Sequence, residues 1–260
     1  MASAPQTQTL PLFYKELVPL NSTQHGNYHT RSTDKATWLA REHAVPLTVE
    51  EFPMAQRHYP IIFSGGDNPV PLALMGLNEG VNTFFDSEGT MTTPGYVPAY
   101  ARRYPFLLAK LQPDSDQLSL CFDSSSDLVG EFDDGEPLFK DGKPSENTEM
   151  LLKFNEQFEQ AGQRTQAFMQ ELAKAELLMD GEVAITQEGT EKPFVYRGFK
   201  MVNQEKLREV RGDQLRAWNQ NGLLPLIHAH LFSLDLIREI FARQVRQGNG
   251  PKADTASAPQ

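Results

Sequence analysis

Twelve residues from Gly95 to Phe106, GYVPAYARRYPF, hold three tyrosines, two prolines and an arginine pair. Each guanidinium is permanently charged and presents forked donors to a carboxylate or phosphate. Flanked by phenol rings, such a group could grip a small anion. Pro98 suits the first turn of a helix because it has no N–H to leave unpaired, and Pro105 disfavours helix at Tyr104. The spacing predicts a helix of about two turns, with Tyr100 and Tyr104 on one face, Arg103 near that face and Arg102 pointing elsewhere. Tyr96, Tyr100, Arg102, Arg103 and Tyr104 are therefore candidate ligand-binding residues, joined by Asn78 and Asn82 from an upstream block. The competing reading is packing, with the tyrosines under a sheet and the arginines paired with the protein's surplus acids.

Other constellations are weaker. His25 and His29 are four apart, but Gly26 and the polar setting argue against a helix there, and no third metal ligand is close in sequence. His228 and His230 lie two apart in a predicted helix, about 200° around its axis, and face opposite ways. Asp123, Ser125, Asp127 and Asp134 echo a calcium loop, yet Leu128 occupies the position that needs glycine and Asp134 the one that needs glutamate. The stretch reads as a solvated acidic loop. Neither G-x-S-x-G nor S-x-x-K occurs, and there is no phosphate loop or dinucleotide fingerprint. No metal, no cofactor and no catalytic residue is expected on these grounds.

With 39% hydrophobic and 22% charged residues, the 260-residue chain can bury a core. Its net charge of −10 repels phosphate backbones, so nucleic acid is not an expected partner. No run of apolar residues is long enough for a membrane-spanning helix, and MASAPQTQTL lacks the pattern of a signal peptide. The expectation is a soluble cytoplasmic protein, although signal-independent export leaves no readable mark. Cys121, the single cysteine, follows the alternating QLSL and reads as a small core residue in a strand.

These residues need elements to position them. Residues 1–9 and 247–260 are too poor in apolar residues to order and are expected to be disordered tails around a single domain, 10–246. From 44 to 143, the runs AVPLTV, YPIIF, PLALMGL, NTFFD, FLLAKL and LSLCF alternate with turn residues, including SGGDNP and PDSD. They predict a mostly antiparallel sheet. EPLFKDGKP adds a short strand with an Asp-Gly turn. Leu151, Phe154, Phe158, Ala161, Thr165, Phe168, Leu172, Ala175 and Met179 then step by three and four. They predict one helix from about 148 to 179, capped by Ser145 or Thr148 and followed by Gly181. Its stripe packs on the sheet or, in a rival reading, forms a coiled-coil seam. EVAIT and FVYRGFKMV predict two strands joined by QEGTEKP, and helices follow to about residue 246. The fold class is α+β: a mostly antiparallel sheet covered by one long helix and C-terminal helices.

The blocks FPMAQRHYPIIF, PLALMGLNEGVNTFFDSEG, YVPAYARRYPF, GFKMVNQEKL and GLLPLIHAHLFSL, in this order, resemble the SapC family of bacterial proteins. Thr90-Met91 departs from the pattern, since relatives often carry an aromatic there. The resemblance implies an accessory or surface-layer-linked protein associated with bacterial surface-layer biology, and supplies no catalytic residue. Its motif positions here are Tyr59, Pro60, Gly76, Asn78, Gly80, Asn82 and Tyr96 through Phe106. The leading expectation is a soluble non-catalytic accessory or binding protein for an unknown protein, peptide or small anionic ligand. The rivals are an enzyme that positions a carboxylate-bearing small molecule or peptide with Arg102 or Arg103, and a homo-oligomer built on the long helix.

Overall fold

The computed structural model describes residues 10–111, 117–186 and 193–250. The expected tail 1–9, most of the tail 247–260, the PDSD turn and most of QEGTEKP lie outside the described residues. Helices and antiparallel sheets combine into an α+β fold. The chain divides into two compact units, one of residues 1–34 and 103–159, the other of 35–102 and 160–260.

In the first unit, Phe106–Lys110 pairs with Leu118–Asp123, which pairs in turn with Leu17–Pro19. Side chains alternate across a strand, so this small sheet carries two apolar layers. Phe106, Leu120 and Phe122 join Val129 and Leu138 in one cluster; Leu107 and Cys121 join Tyr14 in another. Cys121 is buried, and burial pushes its thiol up, as expected of a core residue. The predicted Asp-Gly turn forms between Phe139–Lys140 and Lys143–Pro144: Asp141 and Gly142 take φ of 52° and 73°, the signs a two-residue hairpin loop demands. Ser145 is the helix cap, its Oγ accepting the Thr148 N–H at 3.2 Å.

The second unit is built on five antiparallel strands in the order Leu178–Ile185, Phe194–Val202, Ile61–Phe63, Pro71–Leu74, Ala44–Pro46. The expected single sheet is thus a correction: FLLAKL and LSLCF leave it for Leu17–Pro19, a strand too short and too mixed to show a period. NTFFD forms no named strand, only a bridge from Phe85 to Met91.

The long helix runs Glu146–Lys174, shorter than its stripe suggested. Glu176, at φ 54°, turns the chain in the left-handed region, and Leu177 N–H closes on Leu172 C=O at 3.0 Å. Leu177 then drops into the core, 1% exposed, which rewards the turn without a glycine. Ala161, Thr165, Phe168 and Leu172 are buried. Phe168 meets the rings of Phe52 and Phe63, and Thr165 Oγ1 accepts the Val49 N–H at 2.9 Å. The stripe over these residues is spent inside its own unit.

Gly181 does not stop the helix; it lies in the strand Leu178–Ile185, under the ring of Phe199. A Cβ there would sit 2.2 Å from that ring, and Phe199 is 1% exposed with no room to retreat. Gly181→Ala is expected to destabilise the protein by about 2 kcal/mol in urea unfolding; wild-type stability would show that the ring moves.

Candidate functional site

The site grows from Thr48 and Glu51. The sequence reading carried a strand through Val49, but the strand ends at Pro46 and Val49–Glu51 is a 3-10 turn. T-x-x-E is a capping pattern, and Glu51 Oε2 accepts the Thr48 N–H at 2.8 Å and the Thr48 hydroxyl at 2.9 Å. Its other oxygen reaches the arginine-tyrosine segment. Oε1 accepts the Ala99 N–H at 2.6 Å and the Tyr96 O–H at 2.9 Å. Glu51 is 6% exposed, so four donors substitute for the water it has lost.

Tyr96 is held at both ends. Its carbonyl accepts the phenol of the buried Tyr59 at 2.5 Å, and Tyr59 packs edge-on against Phe84 at 4.6 Å. Burial, then the adjacent Glu51 charge, pushes the Tyr96 phenol up to about 12. Arg102 is exposed and braced on this frame: Nε donates to the Val97 carbonyl at 3.1 Å and Nη2 to the Tyr96 hydroxyl at 3.3 Å. Its guanidinium lies 5.7 Å from the Tyr96 ring centroid.

The remaining candidates are placed otherwise. The helix is one turn, Ala99–Arg102, and the boundary between the two units falls between Arg102 and Arg103. Tyr100, on the helix, is buried. Tyr104, beyond it, packs edge-on against Phe13 and Tyr14 at 6.2 and 5.4 Å. The expectation that Tyr100 and Tyr104 share a helical face is corrected by the early helix end. Arg103, 8% exposed, forms an ion pair with Glu159 at 3.4 Å and lies 4.2 Å from the Phe158 ring centroid. The cation expected near the tyrosine face is thus the internal one, and the exposed one is Arg102.

Asn82 braces a loop. Its amide donates to the Leu39 and Glu42 carbonyls at 2.8 and 2.9 Å, and its oxygen accepts the Phe84 and Phe85 N–H groups at 2.9 and 3.1 Å. Asn78 accepts from Gln244 at 3.2 Å, while Gln244 Oε1 accepts the Leu77 N–H.

The histidines and the acidic loop also resolve into structural tasks. His25 Nδ1 accepts the Asn21 N–H at 3.1 Å, and its ring packs against Tyr28 and Phe122. Asp123 is fully buried and accepts from the backbone of Lys15, Glu16 and Ser125 and from the Ser125 hydroxyl. Burial alone would raise this carboxyl; the hydrogen bonds together hold it below the usual range. Asp134 pairs with Arg31 at 2.6 Å. Among the described residues no group of three or more His, Cys, Asp or Glu is placed to hold a metal ion.

Tyr59, Phe84 and Tyr96, one from each of the first three sequence blocks quoted above, meet here. The SapC family model matches residues 20–240. The chain belongs to the SapC family. No curated protein and no solved structure matches it. No helix among the described residues of this SapC-family protein is long and apolar enough to cross a membrane. Sequence reasoning missed Glu51, although T-x-x-E was the signal that could have found it.

Proposed function

We propose that this SapC-family protein is a non-catalytic accessory protein that recognises a carboxylate- or phosphate-bearing partner through Arg102 and Tyr96. The observation that carries the reading is the exposed Arg102 guanidinium, oriented by Val97 and Tyr96 on a frame tied down by the buried Glu51. Ordering a long side chain in advance lowers the entropic cost of binding, and forked donors suit carboxylate oxygens. Of the remaining candidates, Tyr100 is buried on the same helix and Asn78 and Asn82 fix loops of the same unit, while Arg103 and Tyr104 belong to the other unit. A role in bacterial surface-layer biology, implied by the family, belongs to the same proposal.

The test is calorimetry with two probes, inorganic phosphate and an N-acetylated glutamate-rich peptide. Arg102 is exposed, so Arg102→Ala is expected to keep wild-type stability within about 0.5 kcal/mol. It should weaken the bound probe by about tenfold or more, with Arg102→Lys in between. Equal affinity of wild type and Arg102→Ala for whichever probe binds, or no heat from either probe, would overturn the reading.

A further inference from the structure

A second feature shares no residue with the Glu51 frame and is independent of that reading. The end of the long helix and the helices Gln204–Glu209 and Gly212–Gln220 border an open cleft of about 470 Å³, within the range of small-molecule sites. Its lining combines apolar surface from Val210 and Ala175, over the buried Trp218, with charges of both signs. Half of those charges are already matched. Lys206 pairs with Glu176 at 3.7 Å and donates to its carbonyl at 3.1 Å; Arg211 pairs with Asp213 at 3.0 Å.

Three charges are not matched among the described residues: Glu209, on the helix Gln204–Glu209, and Glu171 and Lys174, on the long helix. Glu171, half-buried, accepts at Oε1 from the Trp218 indole N–H at 3.2 Å and from Gln214 Nε2 at 3.3 Å, both neutral donors. No cation among the described residues pairs with it. Lys174, three residues on and so near the same helix face, has no described acid partner either. One carboxylate and one ammonium, neighbours on one helix, with the aliphatic surface of Val210 and Ala175 beside them, complement a molecule bearing an ammonium and a carboxylate close together and an apolar side chain.

We infer that this cleft binds a zwitterion of the amino-acid or short-peptide class, its ammonium on Glu171, its carboxylate on Lys174 and its apolar side chain against Val210 and Ala175. Free amino acids and short peptides share that chemistry, and the probes separate them. L-leucine and leucyl-leucine are titrated calorimetrically into the full chain, beside N-acetyl-leucine, which lacks the ammonium, and leucinamide, which lacks the carboxylate.

Glu171→Gln keeps an acceptor oxygen for Trp218 and Gln214 while removing the charge. The expected result is binding of one zwitterion, about tenfold weaker in Glu171→Gln and again in wild type with the acetylated analogue. Lys174→Met should act likewise, matched by leucinamide. The Trp218 indole N–H resonance should shift on binding, and Arg102→Ala should leave the titration unchanged. No heat from either zwitterion up to about 10 mM would overturn the inference. So would equal binding by wild type and Glu171→Gln, an acetylated analogue that binds as well as its parent, or loss of binding in Arg102→Ala. That last result would move the site to Arg102 and leave the proposed function untouched.

Discussion

His230→Leu is expected to lose about 2 to 5 kcal/mol of stability at pH 7 and, with it, the share of acid sensitivity that this ring contributes. The reason is a gap in the central sheet. Phe194–Val202 pairs with Ile61–Phe63 only at Lys200 and Phe63. Continued in register, Val202 would face Ile61; instead the His230 ring stands there. Nδ1–H donates to the Ile61 carbonyl at 2.7 Å and Nε2 accepts the Val202 N–H at 3.1 Å. Ser233, on the same helix, accepts the Ile61 N–H at 2.8 Å. The imidazole also stacks on Phe63 at 4.4 Å and is 0% exposed. Leucine fills most of the space but strands a buried N–H and a buried C=O.

The same ring sets a pH window. Burial pulls its pKa from 6.5 down to about 4, against a smaller opposing effect of the Ile61 hydrogen bond. Between those values the unfolded chain binds more protons than the folded one, so acid favours unfolding. The contribution is fully present above pH 6.5 and is lost as pH falls toward 4. A shift of that size corresponds to about 3 kcal/mol. Urea unfolding at several pH values between 7 and 4 should show wild type weakening while His230→Leu changes less. Parallel pH curves, or a variant within about 1 kcal/mol of wild type at pH 7, would show that the ring is no bridge.

Glu51→Ala is the second large effect. It removes the acceptor for the Thr48 and Ala99 N–H groups and for the Tyr96 hydroxyl. Two of these are buried backbone donors, so about 2 to 5 kcal/mol should be lost. The variant has a spectroscopic readout as well. Burial and the Glu51 charge hold the Tyr96 phenol at about 12. Without that charge it should ionise at lower pH, visible as an earlier phenolate step in alkaline ultraviolet titration. Probe binding at Arg102 should weaken too, since Tyr96 loses its anchor. Unchanged stability together with an unchanged titration would mean that Glu51 does not organise this surface.

Much of this was legible in the residues. The helix stripe from Leu151 to Leu172, the Asp141-Gly142 hairpin, the buried Cys121 and the α+β class follow from local periodicity and turn chemistry, which act over a few residues. The five sequence blocks pointed to the family in the same way. The opposite faces of His228 and His230 also emerged: one ring stacks on the exposed Phe232, the other is buried.

What tertiary structure alone decided is where each polar group finds its partner. Helical spacing turns Arg102 and Arg103 different ways but does not say which one is buried. The exposed one is fixed by where the helix ends, and the buried one by Glu159, 56 residues away in sequence. Nothing near His230 announces that it completes a ladder between Ile61 and Val202, because the gap it fills belongs to two other strands. Gly181 resembles a helix stop until the Phe199 ring is above it. Periodicity records which residues leave water; it does not record which donor meets which acceptor once they have left, and that pairing is made between segments far apart in the chain.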